Sequence, residues 1–363
     1  MGENNNSNTS RDIRLMKGNE ALAEAAIQAG CDVYFGYPIT PQSEVLEYLS
    51  REMPKRGGIA LQAESEVASI NMVYGASGAG ARVMTSTSSP GFSLMQEGIS
   101  YMASAELPCL LVNVNRGGPG LGTIQPSQGD YFQATKGGGH GDYRLIVLAP
   151  NSVQEMADFV FLGFELADKY RTPVLILSDG AIGQMMERVE FYKREVKKIA
   201  KPWATTGKSK GRERNIITSL FIQPEKMEVV NKRLVEKYKQ ISENEVRYQE
   251  IETEGSEYLI VAYGLSSRIG HKVVQLGREK GIKVGLLRPI TLYPYPYDRL
   301  RELSEKMKGI LVLEMNSGQM VEDVRLAVEG RTKVKHYGRM GGIIPSPEEV
   351  LEVLEREIIG VQK

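Results

Sequence analysis

Short apolar runs alternate with amphipathic stretches over most of the chain. The stretch PQSEVLEYLSREM, for example, places Val45, Leu46, Leu49 and Met53 on one face of a predicted helix. The apolar runs of the first half read as strands, and they are CDVYFG, ARVMTST, PCLLVNV, DYRLIVLAP and TPVLILSD. Strands that alternate with helices predict an α/β fold with a mostly parallel sheet, covered by helices on both faces.

The alternation stops near residue 190 and resumes at Glu257. The segment between is highly charged and contains Trp203 and one predicted helix. A second, smaller α/β pattern follows, and its last helix is predicted to begin with a capping box of Ser346 and Glu349. The predicted organisation is a disordered tail over residues 1–12, a first domain over 13–190, a charged linker over 191–253 and a second domain over 254–363.

The predicted strand ends of the first domain share an unusual composition. In parallel sheets, ligands bind beyond the carboxyl ends of the strands. Here those ends are rich in Gly, Ser, Thr and Pro, and they are YPITP (37–41), TSTSSPGFS (85–93), NVNRGGPGLGTIQPSQGD (113–130) and SDGAIG (178–183). We therefore expect a binding site at this edge of the sheet.

The composition of the chain argues against several classes of function. The 363 residues include 45 Lys and Arg against 45 Asp and Glu, a balance that argues against binding to nucleic acid or to an anionic membrane surface. The two cysteines, Cys31 and Cys109, are too few for an iron–sulfur cluster on this chain alone, and they suit a reducing cytoplasm. No apolar run is long enough for a membrane span, and residues 1–12 lack the apolar core of a signal peptide.

Several common motifs of α/β enzymes do not occur. No G-x-G-x-x-G opens a helix, and GKS at 207–209 lacks the upstream glycine of a phosphate-binding loop. There is no G-x-S-x-G elbow for a serine nucleophile. The three histidines have no metal-ligand spacing, and His140, in a glycine-rich stretch, is interpreted as a structural or supporting group.

Three segments in combination are distinctive: GYPITP from Gly36, the long stretch over 62–120, and PSQGDYFQATKGGGHGDYRLIVLAPNSVQEM over 126–156. Their order and spacing resemble the alpha subunit of the 2-oxoacid:ferredoxin oxidoreductases, and within that family the branched-chain (2-oxoisovalerate) enzyme. The resemblance covers nearly the whole chain after the tail. It implies a pyrimidine-type thiamine-diphosphate-binding domain followed by a transketolase C-terminal-like domain. The 2-oxoglutarate enzyme of the family and a non-catalytic assembly subunit stay as alternatives.

The resemblance implies oxidative decarboxylation of a 2-oxoacid, acyl transfer to coenzyme A and electron transfer to ferredoxin. It also implies that thiamine diphosphate is shared with a beta subunit that carries the diphosphate and Mg²⁺ site, and that gamma and ferredoxin-like delta subunits complete the complex with iron–sulfur clusters. A departure from the thiamine pattern supports a shared site. SDG at 178–180 lacks the first glycine of the Mg²⁺-binding GDG motif, and Asn215 lies too far on to be its partner. Asp179 is therefore interpreted as a strand-end residue, and no metal is expected on this chain.

Two glutamates precede the predicted helix SEVASINMVYGASGAG. Taken alone, Glu64 and Glu66 read as acidic residues that complement a helix dipole. The resemblance instead matches Glu66 to the glutamate whose carboxyl contacts N1′ of the aminopyrimidine and promotes loss of the C2 proton. Glu66 is thus the predicted catalytic residue, and Glu64 is the second candidate.

Substrate contacts are expected from Thr40 and Arg116. An arginine can hold a carboxylate through two hydrogen bonds, and Arg116 matches a family position that contacts the 2-oxoacid or coenzyme A. Thr40 matches a 2-oxoacid contact, and it also reads as the N-cap of the following helix, with Pro41 at the first helical position. The remaining expected cofactor contacts are Tyr37, Pro38, Ile39, Ser88, Ser89 and Phe92.

Overall fold

The computed structural model describes residues 12–192, 194–196, 198–207 and 211–360. The predicted tail lies outside these residues, except for Asp12, which begins the first strand. The strands are β1 (Asp12–Lys17), β2 (Val33–Gly36), β3 (Ile59–Gln62), β4 (Val83–Thr87), β5 (Cys109–Asn115), β6 (Ile146–Leu148), β7 (Pro173–Asp179), β8 (Met186–Phe191), β9 (Tyr248–Ile251), β10 (Tyr258–Val261), β11 (Val284–Pro289), β12 (Thr291–Tyr293), β13 (Gly309–Glu314) and β14 (Val334–Gly338).

These strands form three sheets: an antiparallel pair of β1 and β8, and two larger sheets that are packed against helices. The helices are α1 (Gly18–Gln28), α2 (Ser43–Glu52), α3 (Glu66–Gly78), α4 (Ser89–Ser104), α5 (Tyr131–Thr135), α6 (Val153–Tyr170), α7 (Gly180–Gln184), α8 (Pro224–Asn244), α9 (Gly264–Glu279), α10 (Tyr297–Ser304), α11 (Met320–Val328) and α12 (Pro347–Val353). The predicted capping box is confirmed, since Ser346 Oγ accepts from Glu349 N at 3.1 Å and the Glu349 carboxylate accepts from Ser346 N. In the part of the chain that the structure describes, no helix is both long and apolar enough to cross a membrane.

The first sheet has seven strands in the order β12-β6-β7-β5-β4-β2-β3. All neighbours are parallel except β12, which runs antiparallel to β6. Every residue of β5 and β7 is buried, as expected of central strands that are packed on both faces. The predicted parallel α/β sheet is confirmed.

The second sheet has five strands in the order β14-β13-β10-β11-β9, parallel except for β9. It begins before the predicted boundary at residue 254, because β9 lies within the predicted linker. In the other direction, β12 leaves the second unit and joins the first sheet. The predicted domain boundaries stay a prediction, but β12 shows that the second unit contributes a strand to the first sheet.

A buried glutamine fixes the long loop after β5 to the second unit. The Gln128 amide donates to the carbonyl of Tyr263 at 2.8 Å, and its Oε1 accepts from Ser266 Oγ at 2.7 Å and from Met315 N at 3.0 Å. The side chain of Asn316 donates to the Gln128 carbonyl at 2.8 Å. The end of the loop over residues 116–130 is therefore bonded to the segments that follow β10 and β13.

Candidate functional site

The carboxyl ends of four neighbouring parallel strands bring the Gly- and Ser-rich segments together. β7, β5, β4 and β2 lie side by side, so the loops that follow them meet at one edge of the sheet. The sequence predicted a binding site at this edge, and the order of the strands brings the predicted segments together there. We call this region the strand-end site.

Glu66 is the first residue of α3 and enters the strand-end site from the side. Ser65 caps the helix by accepting from Ala68 N at 3.1 Å, which fixes the direction of the first turn. The Glu66 side chain is buried, with 5% of the residue exposed, whereas Glu64 is exposed. The structure thus separates the two glutamates and puts only the Glu66 carboxyl inside the protein.

The space for this carboxyl exists because residue 91, in the first turn of α4, is a glycine. A Cβ atom on Gly91 would lie 2.8 Å from Glu66 Cδ, and closer still to Glu66 Oε1 and Thr87 Oγ1. No side chain fits there without displacing the carboxyl or the threonine. Gly91 therefore marks the point where α3, α4 and the end of β4 converge.

Five buried polar atoms at the ends of β4 and β5 have no hydrogen-bond partner within the described residues. Most buried polar groups are paired, because an unpaired one costs about 1–3 kcal/mol. A polar ligand bound at this edge would provide hydrogen-bond partners for such atoms. The five atoms are Thr85 Oγ1, Thr87 Oγ1, Ser88 Oγ, Asn113 Oδ1 and Asn115 Nδ2.

Arg116 directly follows β5 and joins two loops of the site. Its guanidinium donates to the carbonyl of Thr40 at 2.9 Å and to the carbonyl of Leu121 at 2.9 Å. Its Nε is buried, with no hydrogen-bond partner among the described residues. The structure therefore brings Thr40 and Arg116 together, through the Thr40 backbone.

The predicted N-cap role of Thr40 is wrong, because α2 begins only at Ser43. The carbonyl of Pro41 accepts from the side chains of Asn19 at 2.8 Å and Gln184 at 2.9 Å. These bonds hold residues 40 and 41 in a turn that precedes the helix.

The other predicted cofactor contacts are distributed over the same edge. In the loop after β2, Tyr37 and Ile39 are half-buried and Pro38 is exposed. Ser88 is the N-cap residue of α4 and Ser89 is its first residue. The side chain of Phe92 is fully buried in the hydrophobic core, so a contact of Phe92 with a cofactor stays a prediction without support from its position.

Asp130 also belongs to the site, although no motif pointed to it. Its Oδ2 accepts from Ser89 Oγ at 2.6 Å and from Asn113 Nδ2 at 2.8 Å. Burial raises the pKa of this carboxyl above its ordinary value. A pattern in the sequence could have identified the strand-end residues, because residues two apart in a strand lie on the same face of the sheet. Thr85 and Thr87 form one such pair, and Asn113 and Asn115 form another.

A cleft of 610 Å³ opens beside Arg116 and reaches the second unit. It is lined by Ser89, Arg116, Asp130, Phe132, Asn316 and Met340, among others. The loops over 117–125 and 339–344 touch at the mouth of the cleft, where a Cβ atom on Gly117 would lie 2.9 Å from the carbonyl carbon of Gly341.

Asp179 is the last residue of β7, opposite Asn115, but its side chain caps a helix. Asp179 caps α7 by accepting from Ala181 N at 2.9 Å and Ile182 N at 3.1 Å, and burial raises its pKa to about 6. His140 is exposed and lines a separate cavity beside the second half of α4. Over the described ranges, no three His, Cys, Asp or Glu side chains form a group that could hold a metal ion.

Comparison with known families defines the class of protein. Residues 24–253 match the family model "Pyruvate flavodoxin/ferredoxin oxidoreductase, thiamine diP-bdg", and residues 256–350 match "Pyruvate:ferredoxin oxidoreductase core domain II". The chain therefore belongs to the thiamine-diphosphate-binding 2-oxoacid:ferredoxin oxidoreductase family. The resemblance inferred from the motifs is confirmed.

The chain is also similar to individual proteins of this family. The chain is 53% identical over 348 residues to the ketoisovalerate oxidoreductase subunit VorB of Methanothermobacter marburgensis. This alignment covers 96% of this chain and 98% of the relative. It is 40% identical over 372 residues to the 2-oxoglutarate synthase subunit KorA of Methanocaldococcus jannaschii, with 96% and 100% covered. A solved structure with a similar fold is 2-oxoglutarate:ferredoxin oxidoreductase from Magnetococcus marinus, which has 2-oxoglutarate, coenzyme A and succinyl-CoA bound. The two structures align with a TM-score of 0.84 and 29% sequence identity, and the alignment covers 96% of this chain and 65% of that chain.

Proposed function

We propose that this chain supplies the aminopyrimidine half of a shared thiamine diphosphate site, together with the anchor for the substrate carboxylate. The complete enzyme would oxidatively decarboxylate a branched-chain 2-oxoacid to an acyl-CoA and pass the electrons to ferredoxin. The observation that carries the proposal is the buried carboxyl of Glu66, which lies beside Gly91 at an edge with unpartnered polar atoms. A purely structural assembly subunit would have no use for this arrangement.

The strand-end site fits an aminopyrimidine ring. When bound, thiamine diphosphate supplies the carbon nucleophile and the electron sink that decarboxylation of a 2-oxoacid requires. The buried Glu66 carboxyl would form a hydrogen bond with the ring nitrogen N1′. Thr87, Ser88 and Asn113 offer unpartnered hydroxyl and amide groups to a polar ring, and Gly91 leaves space beside the carboxyl.

Arg116 is proposed to bind the substrate carboxylate. It is the only basic residue among the described residues that line the cleft, and its buried Nε has no other partner there. Its bonds to the carbonyls of Thr40 and Leu121 fix the guanidinium plane before substrate arrives. Thr40 would contribute through its position on the same loop as Tyr37 and Ile39.

The lining of the cleft favours an apolar side chain on the 2-oxoacid. Phe132, Met315 and Met340 provide apolar surface, and Arg116 can neutralise one carboxylate. 2-Oxoglutarate has a second carboxylate, which would require another cation that this chain's described lining does not contain. The relative named ketoisovalerate oxidoreductase points the same way, and the 2-oxoglutarate reaction is the second candidate.

A partner subunit is proposed to cover the mouth of the cleft. Exposed apolar side chains surround it on the two touching loops, and we call these residues the apolar rim: Leu121, Ile124, Met340, Ile343 and Ile344. Leu121 is the most exposed of them, at 81%. Exposed apolar side chains grouped on two touching loops are typical of an interface. Since the rim borders the strand-end site, the occupant that fits is a beta subunit that completes the cofactor site with the diphosphate and Mg²⁺ ligands.

The clusters that carry electrons are proposed to lie on further subunits of the gamma and ferredoxin-like delta type. An iron–sulfur cluster takes four ligands, usually cysteines, whereas this chain has two. Both Cys31 and Cys109 are buried as free thiols, which suits the proposed cytoplasmic location.

The substrate proposal is tested by reconstituting the complex and measuring ferredoxin reduction that depends on coenzyme A. We expect kcat/KM for 2-oxoisovalerate to exceed that for 2-oxoglutarate by about 100-fold or more. The opposite preference would move the assignment to the second candidate. Activity that persists unchanged in the Glu66→Gln complex would refute the catalytic role of this chain.

The interface proposal is tested by Leu121→Glu, which should weaken assembly with the beta subunit in analytical ultracentrifugation. Leu326→Glu is the matched control, because Leu326 is an exposed leucine on α11 outside the apolar rim. Equal assembly of both variants would contradict the proposed interface.

A further inference from the structure

Asp130 occupies the N-cap position of α5 but does not cap the helix. Its carboxylate instead faces β5 and α4, where one oxygen, Oδ2, accepts from both Ser89 Oγ and Asn113 Nδ2. Among the ion pairs of the described residues, none involves Asp130. A half-buried carboxylate without a cationic partner is unfavourable for stability, so its position at the wall of the cleft points to a role in the site.

The bond from Ser89 decides where the serine hydroxyl points. Ser89 Oγ has a single proton and three acceptors within reach: Asp130 Oδ2 at 2.6 Å, and Asn115 Oδ1 and the Arg116 carbonyl, both at 3.3 Å. The short bond to a carboxylate is the strongest of the three. With its proton directed at Asp130, the oxygen of Ser89 can accept from the backbone N–H of Arg116, at 3.0 Å.

Arg116 depends on this contact for its placement. Its N–H bond to Ser89 fixes the backbone at the point where β5 ends, and the guanidinium then reaches the carbonyls of Thr40 and Leu121. If the Asp130 carboxylate is removed, the Ser89 proton can turn toward Asn115 or the Arg116 carbonyl. The Arg116 N–H then loses its oriented acceptor.

We propose that Asp130 is a positioning residue, which orients the Ser89 hydroxyl and thereby holds Arg116 in place to bind the carboxylate of the 2-oxoacid. This inference rests on the proposed function, because it takes Arg116 as the substrate anchor. Asp130 acts through Ser89 and forms no bond to substrate itself. Its effect therefore falls on substrate binding rather than on the chemical step.

The test is steady-state kinetics of the assembled complex, with KM and kcat measured for the 2-oxoacid. Asp130→Ala should raise KM by about tenfold, the size of one lost hydrogen bond, and leave kcat within about twofold. In the double variant Asp130→Ala/Arg116→Ala, KM should equal that of Arg116→Ala alone within about twofold, since both changes act on one interaction.

Asp130→Asn keeps an oxygen acceptor for both Ser89 and Asn113, so it should restore KM to within about threefold of the parent. Asp323→Asn is the control for a general loss of buried charge. The Asp323 carboxylate accepts from Tyr131, Tyr297 and Lys136, and none of its bonds among the described residues goes to Ser89 or Arg116. It should lower the melting temperature without changing KM.

The outcomes separate this inference from the proposed function. An unchanged KM in Asp130→Ala, or effects of Asp130→Ala and Arg116→Ala that add in the double variant, would overturn the positioning role while Arg116 remained the anchor. An unchanged KM in Arg116→Ala itself would refute the anchor and the inference together. If Asp130→Ala does not assemble, a KM for Asp130→Asn more than about tenfold above the parent would overturn the role.

Discussion

The substitution Gly91→Ala isolates the position of the Glu66 carboxyl from its chemistry. The added Cβ would lie 2.8 Å from Glu66 Cδ, while non-bonded carbon atoms settle at about 3.5–4.0 Å. The Cβ would lie even closer to Thr87 Oγ1, so either the first turn of α4 or these two side chains must move by about 1 Å. Glu66 and Thr87 both stay in the protein, so a loss of function reports on the placement of these two side chains.

Two opposing effects set the stability of this variant. Alanine is favoured over glycine in a helix by about 1 kcal/mol, and overpacking a buried site costs about 1–3 kcal/mol. The net loss is therefore small, on the order of 1 kcal/mol. A misplacement of about 1 Å at a reacting group, by contrast, can reduce the rate about 100-fold. The function should suffer far more than the fold.

The assay is hydrogen–deuterium exchange at C2 of thiamine diphosphate in the assembled complex, followed by NMR after quenching. Gly98→Ala is the matched control, because its Cβ would lie 2.6 Å from Ile70 Cγ2 and would overpack the same pair of helices away from Glu66. We expect exchange to fall about 100-fold in Gly91→Ala and to stay within about threefold of the parent in Gly98→Ala. Exchange near the parent rate in Gly91→Ala would refute the placement of Glu66 against the cofactor.

Three further predictions follow from single side chains. Glu66→Gln should slow C2 exchange by about 10²–10⁴-fold while Glu64→Gln leaves it nearly unchanged, and comparable losses in both would contradict the assignment. Arg116→Ala should raise the KM for the 2-oxoacid by the equivalent of about 2–5 kcal/mol, whereas Thr40→Ala, which keeps the carbonyl that Arg116 contacts, should have a smaller effect; initial-rate kinetics distinguishes them. Burial raises the pKa of Asp179 from 3.8 to about 6, so the free energy of unfolding contributed by this group falls as the pH rises between these values. Asp179→Asn should therefore increase the free energy of unfolding by up to about 3 kcal/mol at pH 7 and leave it unchanged below pH 3.8, and urea unfolding with no pH dependence of this difference would argue against the raised pKa.

Continuous apolar runs predicted the central strands well, because β5 and β7 are buried on both faces and have no competing pattern. Edge elements were missed for a physical reason. β3, with the sequence IALQ, lies at the edge of the first sheet and is mostly exposed, so its pattern does not differ from that of a loop. β12 was missed because it lies in an aromatic and proline-rich segment and pairs with a strand distant in sequence.

For the site, the resemblance to a known family identified Glu66 and Arg116, whereas Glu66 taken alone read only as an acidic residue that complements a helix dipole. The sequence did not identify Gly91 or Asp130, because their importance depends on contacts between α3, α4 and the loop after β5. The N-cap prediction for Thr40 failed for a similar reason: the side chains that hold the Pro41 carbonyl, Asn19 and Gln184, come from distant parts of the chain.

The central claim is that this chain provides one half of a shared cofactor site, and calorimetry tests it most directly. Thiamine diphosphate with Mg²⁺ is titrated into the isolated chain, and then into the chain mixed with its beta subunit. The cofactor carries most of its charge on the diphosphate, for which this chain presents no recognised Mg²⁺ motif. We expect no tight binding by the isolated chain and tight binding once the beta subunit is added. Binding at about micromolar Kd by the isolated chain would contradict the shared site.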